Sequence, residues 1–397
     1  MEEWKEYRLG EIAEVQTGPF GSQLKNEQYI IGGTPVVTVE HINDFRIKDF
    51  NYPSVSAEDK VRLSKYIMNE GDILFTRVGS VDLSAFVTIK QKGWMFSSRM
   101  LRVRVKNQKC CNSKYLSYYF RQSSFREHIL NISVGATMPS INTEILSGIR
   151  ISLPSISKQL SISEVLSCLD DKIDLLNRQN ATLEKMAETL FRQWFIEGAK
   201  KEWKEGKLDD ILSIKGGTTP GTSNPKYWNG SIYWTSPKDI TTLNGIYLFD
   251  TERKITKLGL SQISSGLLPK GTLLMSSRAP VGTLAFAEVE LAINQGYIAI
   301  LDDKNYPREF LYLWLKVNMN VVHSFSNGST FMEISKSAFK NLPIAIPPVE
   351  IVNSFQWLVK PCFEKIRLNT IQLRTLTQLR DTLLPKLMNG EIEIMEN

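Results

Sequence analysis

The chain reads EWKEYRLGEI at residues 3–12 and EWKEGKLDDI at residues 202–211, about half a chain length later. Further matched segments follow in the same order along both halves. An ordered repeat of this length is too long for a solenoid and indicates duplication of a whole domain with a linker. The other matched segments are GDILFTR (71–77) with GTLLMSSR (271–278), SVGAT (133–137) with SNGST (326–330), and IRISLP (149–154) with LPIAIP (342–347).

The two halves diverge between these matched segments. Residues 18–67 have little in common with residues 217–263. A shared framework with different inserts predicts one scaffold that presents two different recognition surfaces. Drift after duplication would give the same pattern and stays an alternative.

Length and composition are those of a chain with several folded domains. The 397 residues, 42% hydrophobic and 23% charged, exclude a mainly disordered or fibrous protein. The chain has no run of eighteen apolar residues, and its first residues lack the pattern of a signal peptide, so we expect a cytoplasmic location. The formal net charge of +6 is only weak evidence for a nucleic-acid partner.

Each half opens with short runs rich in β-branched and aromatic residues, which predict a mixed α/β domain. One helix is predicted after each set of strands, at 114–129 and at 307–323. The predicted strands are 34–39, 72–76, 86–89 and 101–105 in the first half, and 232–235, 272–275, 283–287 and 297–301 in the second.

A narrow apolar stripe follows Pro154, and its steps of four and three residues form a heptad pattern. A poorer stripe follows Pro348, where Pro361 should bend the first turns and Arg380 needs a partner or access to solvent. The first stripe is Ile162, Leu166, Leu169, Ile173, Leu176, Asn180, Leu183, Ala187, Leu190 and Trp194. The second is Phe355, Val359, Cys362, Ile366, Asn369, Leu373, Leu376, Arg380, Leu383 and Leu387.

Two such helices in one chain most simply pack on each other. If the halves are related by a pseudo-two-fold axis, the helices run antiparallel and the α/β domains lie at opposite ends. Asn180 then occupies an a position, where a buried Asn fixes register at a cost in stability. The alternative is that each helix packs on its own domain, although a surface helix usually has a wider stripe.

Motifs for catalysis are missing. The chain has no phosphate-binding loop, no G-x-G-x-x-G, no HExxH and no nucleophile elbow. Asp239, Glu252 and Lys254 mimic the D…E-x-K pattern of metal-dependent nucleases, but the first half has no counterpart. A stand-alone metal-dependent nuclease and a coiled-coil adaptor that binds no DNA remain the alternative functions.

Basic residues lie beside strand and loop signals and suggest contacts with phosphates. Arg99, Arg102 and Arg104 fall close together, although a solvated strand edge explains them equally well. Arg77 and Arg278 follow matched strands, where an arginine is either a guanine or phosphate ligand or a partner in a structural ion pair.

The repeat, the matched GDILFTR and GTLLMSSR segments, the run from Thr219 to Ile240 and the closing LRDTLLPKLMNGEI at 379–392 together resemble the specificity subunit of type I restriction-modification systems. The likeness covers the whole chain. It implies an α/β fold of two pseudo-two-fold-related target-recognition domains separated by two long antiparallel coiled-coil helices. It also implies no catalysis by the chain itself.

The resemblance further implies that each domain reads one half of a bipartite, asymmetric site in double-stranded DNA, while the helices set the spacer. The implied partners are two methyltransferase subunits that dock on the chain and two restriction subunits. S-adenosylmethionine, ATP and magnesium would be used by those partners, and none would be bound by this chain.

We therefore expect recognition domains at 1–155 and 200–348, and long helices at 156–199 and 349–397. Loop position and donor chemistry then select the residues expected to contact DNA. These are Ser22, Lys25, Arg77, Ser80, Arg99 and Thr137 in the first domain, and Thr219, Lys226, Lys238, Arg278, Gln295 and Thr330 in the second.

Overall fold

The computed structural model describes residues 4–135, 137–278, 280–328 and 332–394. The chain forms two compact units. The first comprises Met1–Lys172 and Leu376–Asn397, and the second comprises Ile173–Thr375. Both long helices therefore contribute residues to both units.

The first unit is built on a central sheet of four antiparallel strands. Side chains alternate across a strand, so Ile73 and Phe75 face one core while Leu74 faces another. Burial on both faces explains why this strand is continuously apolar. In spatial order the strands are Ala13–Thr17, Met100–Val105, Ile73–Thr76 and Ser84–Phe86.

Smaller sheets and short helices complete the first unit. One sheet has the order Ser54–Val55, Thr34–Val37, Met95–Phe96, one strand pair joins Lys5–Arg8 to Arg150–Leu153, and a hairpin joins Ile42–Asn43 to Arg46–Ile47. The α-helices are Leu9–Ile12, Ala57–Arg62, Ser113–Tyr119, Ser123–Ile132 and Thr143–Gly148. The 3-10 helices are Asn26–Gln28, Val39–His41, Ser64–Tyr66 and Ile89–Gln91.

The second unit repeats this plan. Its central sheet has the order Ser213–Lys215, Tyr297–Leu301, Leu273–Ser276, Leu284–Ala287, Tyr247–Leu248, and Leu273 and Met275 again face the opposite core from Leu274. A second sheet has the order Arg253–Ile255, Trp228–Thr235, Leu291–Ile293, and one pair joins Lys204–Lys207 to Pro343–Ile346. The short helices are Leu208–Ile211, Pro225–Tyr227, Pro237–Thr241, Lys257–Leu260, Arg308–Val317, Met319–Ser324 and Lys336–Lys340.

The shared topology confirms the predicted duplication of an α/β domain. In each unit the smaller sheet contains one parallel pairing, Val36 with Met95 and Trp234 with Ala292. The predicted single helices at 114–129 and 307–323 are wrong, because each is two helices. In the second unit Asn318 lies between the two helices, at the end of Arg308–Val317 and before the start of Met319–Ser324.

The strand predicted at 86–89 is also misplaced. The observed strand is Ser84–Phe86, and a 3-10 helix follows at Ile89–Gln91. The Thr88 amide donates to the Gln91 side chain with 3.1 Å between the atoms, a cap that draws this stretch out of the sheet.

The first long helix is Ile156–Arg192, followed by a π-helical turn at Gln193–Glu197, and the second is Val349–Met388. Within the first unit, Ile162 near the start of one helix shares a core with Leu387 near the end of the other. Within the second unit, Phe191 and Phe355 have ring centroids 5.9 Å apart. The helices are therefore antiparallel in each unit. The second helix continues through the exposed Pro361.

The predicted seam has buried and half-buried members. After the buried Phe355 and Val359, the next buried residue of the second helix is Phe363, and the predicted Cys362 is only half-buried. Phe363 packs on Tyr312 and Phe286 of its own α/β domain, so the apolar face here is wider than a heptad seam. Ile162, Leu166, Ile173, Leu176, Ile366 and Leu373 are buried, and Leu169, Asn180, Leu183, Leu376 and Leu383 are half-buried.

Two polar pairs lie within this seam. In the second unit, Asn369 Nδ2 donates to Asn180 Oδ1 at 2.9 Å. In the first unit, Arg380 donates to Asp170, which supplies the partner that the sequence left open for this arginine.

Candidate nucleic-acid interface

A close backbone contact fixes the point where each variable insert leaves the framework. Gly18 and Gly217 both follow the first strand of a central sheet. A Cβ at Gly18 would overlap the carbonyl oxygen of Ser97, and one at Gly217 would overlap that of Ile293. Only glycine allows so close an approach of the two backbones. Because each glycine follows the same edge strand of an equivalent sheet, both inserts begin at the same end of that sheet.

Strand register brings several predicted DNA contacts to that end in the first unit. Thr17 pairs with Leu101, and Thr76 pairs with Met100. The residues just beyond these pairs therefore converge. The Arg77 amide donates to the Arg99 carbonyl at 2.8 Å.

The segment around Thr137 joins the same end of the sheet. The Gly79 amide donates to the Pro139 carbonyl at 2.9 Å, and the Ile141 amide donates to the Arg77 carbonyl at 3.0 Å. The predicted contacts Ser22, Lys25, Ser80, Arg99 and Thr137 are all exposed.

Arg77 is half-buried and held by an aromatic ring. Its guanidinium carbon lies 5.5 Å from the centroid of Phe20, whose side chain is 48% exposed. Its Nη1 reaches the Ser98 carbonyl only at 3.5 Å, and its buried Nε has no partner within the described chain. No ion pair forms at Arg77 among residues 4–135 and the other described segments, which argues against a purely structural role.

Two neighbouring arginines are occupied by the fold. Arg102 is buried and donates to the carbonyls of Lys65 and Ile67, both at 3.2 Å. Arg104 forms a bidentate pair with Asp72, at 2.7 Å for both contacts. The idea that these two side chains neutralise phosphates is therefore wrong. Arg99 is exposed, and within the part of the chain that the structure describes its side chain forms no hydrogen bond or ion pair.

The second unit has a matching end of the sheet with different side chains. Ser276 pairs with Tyr297, and the Ser277 amide donates to the Gly296 carbonyl at 2.8 Å. Thr219 donates through its hydroxyl to Gln295 Oε1 at 2.7 Å, and Gln295 is exposed. Two predicted contacts thus lie together here, while Thr330 lies outside the described residues.

Arg278 is not the structural counterpart of Arg77. The carbonyl of Ser277 accepts from the Ile334 amide at 3.0 Å, as that of Arg77 accepts from Ile141. Arg278 pairs with Glu333 in an isolated bridge, as Val78 does with Ser140. The arginines are offset by one residue, so on extended backbone their side chains leave on opposite sides.

The two lysines of the second unit that are predicted to contact DNA differ in their surroundings. Lys226 is exposed, whereas Lys238 pairs with Glu252 at 2.8 Å. Asp239 accepts from the Ser236 and Glu252 amides, both at 2.8 Å, and so caps a helix. The described residues contain no cluster of three or more His, Cys, Asp or Glu side chains that could hold a metal ion.

Sequence reasoning missed the aromatic cluster of the second unit. Arg253 stacks on Trp228, and Trp234 packs behind it. The run from Thr219 to Ile240 contains both tryptophans, but it does not include the arginine that stacks on them.

A family described as "Type I restriction modification DNA specificity domain" matches residues 1–185 and 200–374. The chain belongs to this family. As a type I specificity subunit it supplies DNA recognition and is not a catalytic subunit. No helix within the described residues is long and apolar enough to cross a membrane.

Two curated relatives match this chain along nearly its full length. The chain is 27% identical to the type I restriction enzyme MjaIX specificity subunit of Methanocaldococcus jannaschii, over 99% of this chain and 94% of the relative. It is 24% identical to the HindI specificity subunit of Haemophilus influenzae, over 99% of this chain and 100% of the relative.

A solved structure has the same fold. The crystal structure of the type I restriction-modification S subunit from M. genitalium superposes with a TM-score of 0.62 at 16% identity, over 100% of this chain and 97% of that chain.

Proposed function

We propose that this specificity subunit reads a bipartite, asymmetric DNA site, with segments 1–155 and 200–348 each recognising one half. The long helices, in segments 156–199 and 349–397, set the spacer between the halves and dock methyltransferase subunits. The observation that carries the proposal is the convergence of different polar side chains on the same end of an equivalent sheet in each unit.

The difference between the two sets of donors supports an asymmetric site. The first unit presents Arg77 and Arg99, whereas the second presents Thr219 with Gln295. Arginine is suited to guanine or phosphate, while an amide side chain is suited to adenine. Two domains with different donors are therefore expected to read half-sites of different sequence.

Exposed apolar residues on the long helices support docking of a protein partner. Within the second unit, Leu175 is 40% exposed, Met186 50%, Leu368 56% and Trp357 78%. Large exposed apolar side chains repeated along helices are typical of surfaces that a partner covers. We assign this role to two methyltransferase subunits.

The remaining partners follow from the type of system. We propose that two restriction subunits complete the complex in the cytoplasm. The partner subunits would use S-adenosylmethionine, ATP and magnesium, and this chain would supply only the recognition of the target sequence.

The test compares genome-wide adenine methylation in the native host with and without the gene for this chain. We expect methylation at one split motif to disappear on deletion and to return with the wild-type gene. If the host shows no split methylated motif with or without the gene, the purified methyltransferase complex is tested for binding to duplex DNA. Failure to bind as well would contradict the proposal. Metal-dependent cleavage by the purified chain alone would favour the nuclease instead.

A further inference from the structure

Two buried tryptophans organise the variable insert of the second unit. Trp228 and Trp234 are 7% and 4% exposed and meet edge to face, with ring centroids 5.1 Å apart. Their indole N–H groups donate to the carbonyls of Gly221 at 3.3 Å and Thr218 at 3.4 Å. The pair therefore holds the loop that carries Thr219 against the smaller sheet.

Arg253 stacks on this pair from the neighbouring strand. It lies opposite Trp234 in the sheet register. Its guanidinium carbon is 3.4 Å from the ring centroid of Trp228 and 5.5 Å from that of Trp234. Arg253 is nevertheless exposed. Stacking on an indole face uses the plane of a guanidinium and leaves the N–H groups at its edge free.

The acidic residues beside Arg253 are paired with other cations. Glu252 pairs with Lys238 at 2.8 Å, and Asp250 pairs with Lys254 at 3.8 Å. Within the described residues, the Arg253 guanidinium forms no ion pair and donates no hydrogen bond. The fold thus holds the side chain in place without using its five donors.

We propose that Arg253 is a DNA ligand of the second recognition domain. Its edge presents two parallel N–H donors to a pair of neighbouring acceptors, which are either the O6 and N7 atoms of a guanine or two oxygens of one phosphate. This inference rests on the proposed function. The matched strand of the first unit, Ser54–Val55, is buried and carries no arginine, so the contact belongs to one half-site.

The test uses the full chain in complex with its host's methyltransferase subunits. The variants are Arg253→Ala and Arg253→Lys. The matched control is Lys254→Ala, which removes one positive charge from the next residue of the same strand. Lys254 lies over Tyr233 at 4.7 Å, and adjacent residues of a strand point to opposite faces. Thermal unfolding establishes that each variant is folded.

We expect Arg253→Ala to weaken binding to the split site by roughly 10- to 100-fold, with Lys254→Ala within about 3-fold of wild type. If the contact is to guanine, the methylated motif relaxes at one position of one half, and Arg253→Lys does not restore it. If the contact is to phosphate, the motif is unchanged and Arg253→Lys recovers most of the affinity. The slope of the logarithm of the binding constant against the logarithm of the salt concentration then becomes smaller by about one in Arg253→Ala.

Binding and motif equal to those of Lys254→Ala would overturn the inference while leaving the proposed function intact. A wild-type complex that binds no split site would instead overturn the proposed function.

Discussion

Arg380 of the second long helix donates through Nη1 to Asp170 of the first long helix, with 3.1 Å between the two atoms. Asp170 is buried and also accepts from Arg121 at 2.6 Å and from the Tyr118 hydroxyl at 2.9 Å. Arg46 lies 3.8 Å away. One carboxylate thus connects the α/β domain of the first unit to both helices. Burial alone would raise the pKa of Asp170, but Arg121, Arg380 and Tyr118 together hold it below its ordinary value.

Asp170→Asn should therefore be strongly destabilising, because three guanidinium groups lose their shared counter-charge. Removing one partner of a buried charge cluster costs about 3–5 kcal/mol in the free energy of unfolding. In the unfolded chain the pKa of an aspartate is about 3.9. In the folded chain the pKa of Asp170 lies below that value. The stabilisation is thus full at neutral pH and is lost as the pH falls through the folded-state pKa. Urea unfolding at several pH values measures this.

The matched control for that experiment is Asp171→Asn. Asp171 is the next residue of the same helix and is exposed. It should change the free energy of unfolding by less than about 1 kcal/mol. Equal effects of the two substitutions would show that the cluster around Asp170 contributes no special stability.

The Asn180–Asn369 pair predicts strong coupling between two residues of opposite helices. Asn369 is 1% exposed, so Asn180→Leu leaves its buried amide without its best acceptor. We expect a loss of about 1–3 kcal/mol. The double substitution to leucine should recover most of it, giving a coupling energy of about 1 kcal/mol or more in a double-mutant cycle. Additive effects would mean that the hydrogen bond contributes nothing.

Phe20 should affect DNA binding only through Arg77. Arg77→Ala should weaken binding of the complex by about 1–3 kcal/mol. Phe20→Ala should cost about 0.5–1 kcal/mol, the usual contribution of an exposed cation–aromatic contact. The double variant should match Arg77→Ala, as measured by fluorescence anisotropy with a duplex that carries the motif.

Ile31→Ala is the control for this series, since Ile31 is fully exposed in the same unit. It should bind like wild type. A double variant that is much weaker than Arg77→Ala would show that Phe20 contacts DNA by itself.

Lengthening both long helices should lengthen the spacer of the recognised site. Four added residues extend a helix by about 6 Å, which corresponds to about one or two base pairs at roughly 3.4 Å each. Methylome sequencing of a host that expresses this variant measures the new motif. An insertion in one helix alone should unfold the chain or abolish methylation, because it shifts the seam on one side. An unchanged spacer in the double insertion would contradict the proposed role of the helices.

The repeat and the heptads were enough to predict two α/β domains and two long helices, because buried faces impose their period on the sequence. The same rule failed at Phe363, where the helix packs on its own domain and the sequence pattern alone suggested Cys362. The smaller sheets were also missed in part, since strands as short as Ser54–Val55 contain too few residues to show a period.

The candidate site was less predictable, because it depends on register between distant segments. Alignment of the two halves matched Arg77 with Arg278, whereas backbone hydrogen bonds match Arg77 with Ser277. Arg253 could not be predicted, since its contact with Trp228 joins two neighbouring strands that are distant in sequence. Nothing in the local sequence indicates a stacked guanidinium.

The composition of the first unit has a consequence for synthesis of the chain on the ribosome. Its core includes Leu387 and Met388 beside Ile162 and Leu166, so this core is complete only after residues 387 and 388 have been made. The second unit is continuous in sequence and has all its residues earlier. Nascent chains usually fold from the amino-terminal domain onward. Here the second unit can complete its core before the first unit does.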